Sequence, residues 1–182
     1  MTTSLTDDAL ATLTPARVRL GVLTLTCQLP AVQDEVWRWI TEPDELARWS
    51  PIVPNRSLDG VGEATSRETP DAEEVDATVT EARAPWFLEH RWGPEVITWQ
   101  LAPSGEGTQL NLVHEPSQSE QIAELAAGWH LCLVVLRRLL AGVETGRCVG
   151  QDAVAHGWPH VRDCYAELLK EQLPDGSCGS DA

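Results

Sequence analysis

Two histidines occupy matched places in alternating stretches, His90 in Leu88-x-His90-x-Trp92 and His114 in Leu110-x-Leu112-x-His114. A period of two sends alternate side chains to one face of a strand, so each imidazole shares its face with apolar neighbours. Imidazole both donates and accepts, and it changes charge near neutral pH, so it can orient a ligand or move a proton. The residues leave three roles open. Each ring is a core or rim group satisfied by backbone, Glu89 or Glu115, or it orients a ligand, or it is a general acid–base. The last needs a partner group, and neither a Ser-His-Asp nor a Cys-His arrangement is legible in the spacing. No catalytic residue is assigned.

His156 and His160 stand four apart, as helical zinc ligands can. Gly157 and Pro159 argue against an unbroken helix there, and no third ligand is evident. Cys27, Cys132, Cys148, Cys164 and Cys178 are odd in number and scattered, with no C-x-x-C pair. Free thiols are expected, with Cys132 and Cys164 as small core residues. Neither a metal nor a cofactor is expected. The Gly60/Gly62 and Gly105/Gly107 pairs read as hairpin turns, not as a phosphate cradle.

Eight Trp stand against one Phe and one Tyr. Indole fills a core as Phe does but brings an N–H that needs a partner when buried. The Trp residues are therefore either core fillers or the walls of a cavity. Trp39 lies off the Val32-Val36-Ile40 stripe and is expected to be partly exposed, either capping a sheet edge or touching a homodimer partner or a pocket mouth.

The elements that position these groups follow from periodicity. Residues 1–16 read as a flexible polar lead-in, and 17–28 as one long first strand through Val18, Leu20, Val22, Leu25 and Cys27. Two short helices follow, divided at Thr41-Glu42-Pro43, since proline is tolerated at a first helical position. Neither is long enough to be stable alone. Alternating segments from Ile52 to Glu115, separated by Gly- and Pro-containing turns, predict one twisted antiparallel sheet. Ser117-Gln118-Ser119-Glu120 has the pattern of a capping box. The helix after it carries Ile122, Leu125, Trp129, Leu133, Leu136 and Leu140 on a stripe and ends at Gly142 or Gly146. Trp158-Pro159 opens a last helix. The domain is expected to span 17–146, with a helical extension at 147–173 and a disordered tail at 174–182.

The formal net charge is −15, with twelve Arg and one Lys. Such a surface repels phosphate backbones and anionic lipid, so no nucleic-acid or membrane partner is expected. Asp71, Glu73, Glu74 and Asp76 read as a solvated loop. With no signal-peptide pattern at the start and no membrane-length apolar run, a cytoplasmic location is expected.

Strand, two small helices, antiparallel strands and a long amphipathic helix is the element order of the α+β helix-grip fold. The chain resembles the family of proteins similar to the activator of the Hsp90 ATPase (AHSA1-like), within the START-like ligand-binding group. The residues that carry the resemblance are Pro30, Val36-Trp37, Thr41-x-Pro43-x-x-Leu46-x-x-Trp49, Leu88-x-His90-x-Trp92, Gly107-Thr108-x-Leu110-x-Leu112-x-His114 and Gly128-Trp129. It covers residues 20–143. Ser50-Pro51 follows Trp49 where relatives often carry an aromatic, and nothing here is long enough for the separate Hsp90-binding domain of co-chaperone members.

The resemblance implies a curved sheet wrapped around the long helix, with a packed or hollow space between. On that reading a small hydrophobic or aromatic molecule binds there, lined by Trp49, His90, Trp92, Trp99, His114, Trp129 and Leu133. Two alternatives stay open. One is a cyclase- or hydrolase-type enzyme using His90 or His114. The other is a protein-interaction module with a closed interior and an exposed apolar patch.

Overall fold

The computed structural model describes residues 4–11, 13–170 and 172. In chain order the elements begin with helix α1 (Leu5–Ala11), strands β1 (Ala16–Arg19) and β2 (Val22–Leu29), and helices α2 (Gln33–Thr41) and α3 (Pro43–Leu46). Short strands β3 (Val53–Pro54), β4 (Thr65–Arg67) and β5 (Val75–Asp76) come next. Then follow β6 (Val79–Arg83), β7 (Phe87–Trp92), β8 (Glu95–Ser104) and β9 (Gly107–Glu115). Helices α4 (Ile122–Leu140), α5 (Gln151–Ala155) and α6 (Trp158–Leu169) complete the elements of the described residues. The fold is α+β, an antiparallel sheet gripping a long helix.

The strands form two sheets rather than the expected one. Six lie in the order β1-β2-β9-β8-β7-β6, and β3-β4-β5 make a separate antiparallel group. The chain changes sheets at Ala77-Thr78, between β5 and β6. The predicted first strand is also two, because Leu20 and Gly21 both take positive φ (54° and 80°) and close a two-residue turn between Arg19 and Val22. Positive φ at both central positions matches the twist of paired strands. Leu20 is 95% exposed, so the alternating pattern misread a turn residue as an inward one.

The Asp59-Gly60-Val61-Gly62 stretch is not a tight hairpin. β3 and β4 do pair, but the loop between them gathers around the Arg56 guanidinium, which donates to the carbonyls of Ser57, Gly60, Gly62 and Glu63 at 2.6–3.0 Å. The β8–β9 turn is tight as expected, with Gly105 at φ 60° and Ser104 opposite Gly107.

α4 is buried on most of its circumference because it packs on β2 on one side and on α1 and α6 elsewhere. Within the expected loose lead-in, α1 forms and docks. Its Ala9 carbonyl receives the His130 Nε2–H at 2.8 Å, and Asp8 pairs with Arg138. The His130 Nδ1 accepts the Thr14 amide at 3.2 Å, while Tyr165 donates to the Thr14 carbonyl at 2.8 Å. Polar composition predicts looseness, but a buried histidine on α4 supplies the anchor. The predicted tail at 174–182 and Cys178 lie outside the described residues.

α2 and α3 meet at an extended Glu42 with Pro43 in the first turn of α3, as expected. Trp39 is not partly exposed. It is 5% exposed, with the Arg48 guanidinium stacked 4.6 Å from its ring centre, so the ring is covered by its own chain. The capping box does not form either. A 3-10 turn at Ser119–Gln121 precedes α4 without a side-chain cap, and Ser117 spends its amide and hydroxyl on Glu95 at 2.9 and 2.7 Å.

Candidate functional site

Sheet register builds the cluster around the two histidines. One cross-strand row runs Leu23–His114–Ile97–His90, and the next runs Leu25–Leu112–Trp99–Leu88. All eight side chains are buried. Trp99 sits two residues beyond the partner of His90, the diagonal position that long side chains bridge. Its indole N–H donates to His90 Nε2 at 3.0 Å. His90 Nδ1 lies 2.8 Å from the Arg91 carbonyl, so that nitrogen carries the hydrogen. From α4, the Trp129 N–H donates to His114 Nδ1 at 3.1 Å, and His114 Nε2–H meets Glu95 at 2.6 Å.

Each imidazole is thus the acceptor that a buried indole requires, and neither ring has a nitrogen left for a substrate. Burial pulls His90 down to about 4, against a smaller opposing pull from the Arg91 carbonyl. Burial also lowers His114, outweighing the contacts to Glu95. For Glu95, partial burial works against ionisation, yet the hydrogen bonds from Ser117 and His114 hold its carboxyl below the usual range.

The indoles pack edge to face. Ring centres are 5.9 Å apart for Trp49 and Trp99, 5.5 Å for Trp99 and Trp129, and 5.7 Å for Trp129 and Trp92. Trp92 lies 5.7 Å from His114. Trp49 is fixed by its N–H, which donates to the Trp39 carbonyl at 3.0 Å. Six of the seven expected site residues therefore meet in one aromatic cluster, and Leu133 of α4 is buried in the same core.

They do not wall a hollow interior. Trp49, His90, Trp99, His114 and Leu133 are each at most 1% exposed, because indoles from sheet and helix fill the gap between them. The open space lies outside the cluster, past Trp92 and Trp129. There a cavity of about 330 Å³ is bounded by α4, by the segment from Cys148 to Trp158, and by Pro51 and Glu68. Leu125, Val149, Val154 and Trp158 give it an apolar lining, with Glu68 and Glu124 also on its wall.

Sequence reasoning missed Trp158, Val149, Val154 and the two glutamates as lining residues. One signal was present in the Gly128-Trp129 pair. Gly128 faces the Trp158 indole, since a Cβ there would lie 3.9 Å from Nε1, at ordinary contact distance. Its partner, thirty residues later, was not legible. The roles of His130 and Glu95 were missed as well.

His156 and His160 fall either side of a break at Gly157, whose φ is 92°. His156 turns to the Asp152 carbonyl, and no group of three or more potential metal ligands occurs among the described residues. Cys132 and Cys148 are buried on the cavity wall, and burial pushes both thiols up, Cys148 to about 11. Cys164, expected in the core, is half-buried on α6. No helix among the described residues is long and apolar enough to cross a membrane.

A family model described as Activator of Hsp90 ATPase homolog 1-like protein matches residues 30–141. Among solved structures, EF2215 of Enterococcus faecalis, a conserved protein of unknown function, is similar over 93% of this chain and 96% of its own, at 18% identity and TM-score 0.69. CalU16 from Micromonospora echinospora is similar over 85% of this chain and 94% of its own, at 18% identity and TM-score 0.62. DynU16, from the dynemicin biosynthetic locus, is similar over 69% of this chain and 49% of its own, at 23% identity and TM-score 0.59. These likenesses are of fold, the START-like fold. No curated protein matches the chain.

Proposed function

Starting from the premise that the chain belongs to the Activator of Hsp90 ATPase homolog 1-like family, we propose that it binds a small hydrophobic or aromatic molecule without catalysis. The site is the cavity beside Trp92 and Trp129, outside the histidine cluster that sequence reasoning favoured. The observation that carries this reading is the cavity itself, about 330 Å³ with a mainly apolar lining that includes three Trp. Small-molecule sites begin at roughly 300 Å³, so the occupant is a one- or two-ring compound.

The cyclase or hydrolase reading finds no support in the imidazoles, since both nitrogens of His90 and of His114 are engaged within the core. The interaction-module reading shares the packed interior. The exposed large apolar residues are Leu10, Leu20, Val32, Val61, Trp86, Val154 and Leu168, and of these Val154 lines the cavity itself.

Quenching of Trp fluorescence across a small library of aromatic and lipid-like compounds tests the proposal. Saturable quenching is expected, and it should weaken at least tenfold in Trp158→Ala while the fold is retained. Flat responses across the library would sink the reading.

A further inference from the structure

The cavity has a charge character as well as an apolar one. Of its fourteen lining residues, only Glu68 and Glu124 carry charge at neutral pH, since burial keeps the two thiols protonated. They come from different parts of the fold, Glu68 just after β4 and Glu124 in the first turn of α4. Neither carboxylate makes a hydrogen bond or ion pair with another described residue. Arg147 is within electrostatic reach of Glu68, but its Nε and Nη2 are committed to the Ser50 carbonyl at 2.8 and 2.6 Å, and it does not line the cavity.

The remaining wall includes the rings of Trp92, Trp129 and Trp158. An indole face attracts a cation more strongly than any other side-chain ring. Arg162 already lies 5.4 Å from the centre of the Trp158 ring and Trp129 is only 2% exposed, so an incoming cation would rely chiefly on Trp92. An anion would meet two carboxylates and no basic group on the wall itself, with Arg147 and Arg162 behind it. A neutral ring would gain burial alone. The net charge of −15 also enriches cations near the surface.

Resting on the cavity reading above, we propose that the occupant is an organic cation, a small aromatic group bearing a substituted ammonium. The ring lies against the apolar wall, and the ammonium is held between the indoles and the carboxylates of Glu68 and Glu124.

Three probes of one ring size separate the possibilities: benzyltrimethylammonium, benzyl alcohol and phenylacetate. Each is titrated into the full chain while the indole N–H signals of Trp92, Trp129 and Trp158 are followed by NMR. The cation is expected to bind about tenfold more tightly than the alcohol, with phenylacetate weakest. Glu68→Gln and Glu124→Gln are each expected to cut that preference severalfold, as is added salt. Alcohol binding as tightly as the cation would overturn the cationic class and leave the cavity reading intact. A cation preference unmoved by either substitution would overturn the role of the carboxylates. Silence of all three indole signals with every probe would overturn both this inference and the cavity reading.

Discussion

The Trp129 indole donates to Nδ1 of His114 at 3.1 Å, and the opposite nitrogen of that ring meets Glu95 at 2.6 Å. This pairing ties α4 to β9, and Glu95 carries it on to Ser117 at the approach to α4. Trp99 and His90 repeat the motif within the sheet. The sequence uses indole where another core would use phenyl, and these two imidazoles accept the N–H groups of Trp99 and Trp129, while the buried Trp39 N–H has no hydrogen-bond partner among the described residues.

Substituting His114 by Leu leaves the Trp129 N–H and the Glu95 carboxylate without this partner. We expect a loss of about 2–4 kcal/mol in urea unfolding. Trp129→Phe in the same background should restore part of it, because the orphaned donor is gone. A double-mutant cycle with no coupling would refute the pairing role.

Stability is expected to fall with acid. The His90 ring stays neutral in the folded chain down to about 4 but protonates near 6.5 when unfolded. Between those values the unfolded chain binds the extra proton. The contribution is therefore complete above pH 6.5 and shrinks as pH drops toward 4, by on the order of 3 kcal/mol. His114 and His130, also lowered by burial, act in the same direction. His90→Gln keeps an acceptor for Trp99 but cannot titrate, so its stability against pH should be flatter across this window. An unchanged slope would contradict the assignment.

Two glycines in one turn should respond differently to alanine. A Cβ on Gly107 would lie 2.2 Å from the Leu29 carbonyl oxygen, next to the Thr108 hydroxyl that donates to the Ala31 carbonyl at 2.8 Å. Backbone cannot move away cheaply, and Gly107→Ala is expected to cost about 3 kcal/mol. Gly105 faces open space and bears only its positive φ of 60°, so Gly105→Ala should cost about 1 kcal/mol. Melting temperatures of the two variants give the comparison.

Gly128→Ala separates stability from binding. Alanine in mid-helix should add about 0.5–1 kcal/mol, and its Cβ would make ordinary contact with Trp158 at 3.9 Å. The same methyl narrows the cavity, so affinity for a cavity ligand should fall severalfold while the melting temperature rises. Unaltered affinity would place the ligand elsewhere.

Tyr165→Phe removes the donor to the Thr14 carbonyl at 2.8 Å. A loss of about 1 kcal/mol is expected. Amide exchange at Thr14, whose N–H is held by His130, should quicken more than exchange at the centre of α4.

The residues by themselves determined the order of most elements, α1 and the break between β1 and β2 excepted, and the faces of the long strands and α4. Period-two spacing puts Leu88 and His90 on one face of β7 and Ile97, Trp99 and Leu101 on one face of β8, and burial follows those faces. Pro43 marked the start of α3 because its backbone constraint is local. Local signals misled in three places: Leu20 adopted a glycine-like φ, Ser117 bonded Glu95 instead of capping a helix, and the loop around Gly60 and Gly62 gathered on Arg56.

Only the tertiary structure decided what the face residues do. Spacing puts His90 and His114 on inward faces, but it cannot say that Trp99 and Trp129 consume their acceptor nitrogens, because those partners meet through register and helix packing. Nor can it place Trp158 beside Trp129, which depends on how α6 lies across α4. Whether a strand face borders a cavity or a packed core is set by the volume of side chains arriving from elsewhere. Here indoles from sheet and helix filled the expected interior and left the open space outside it.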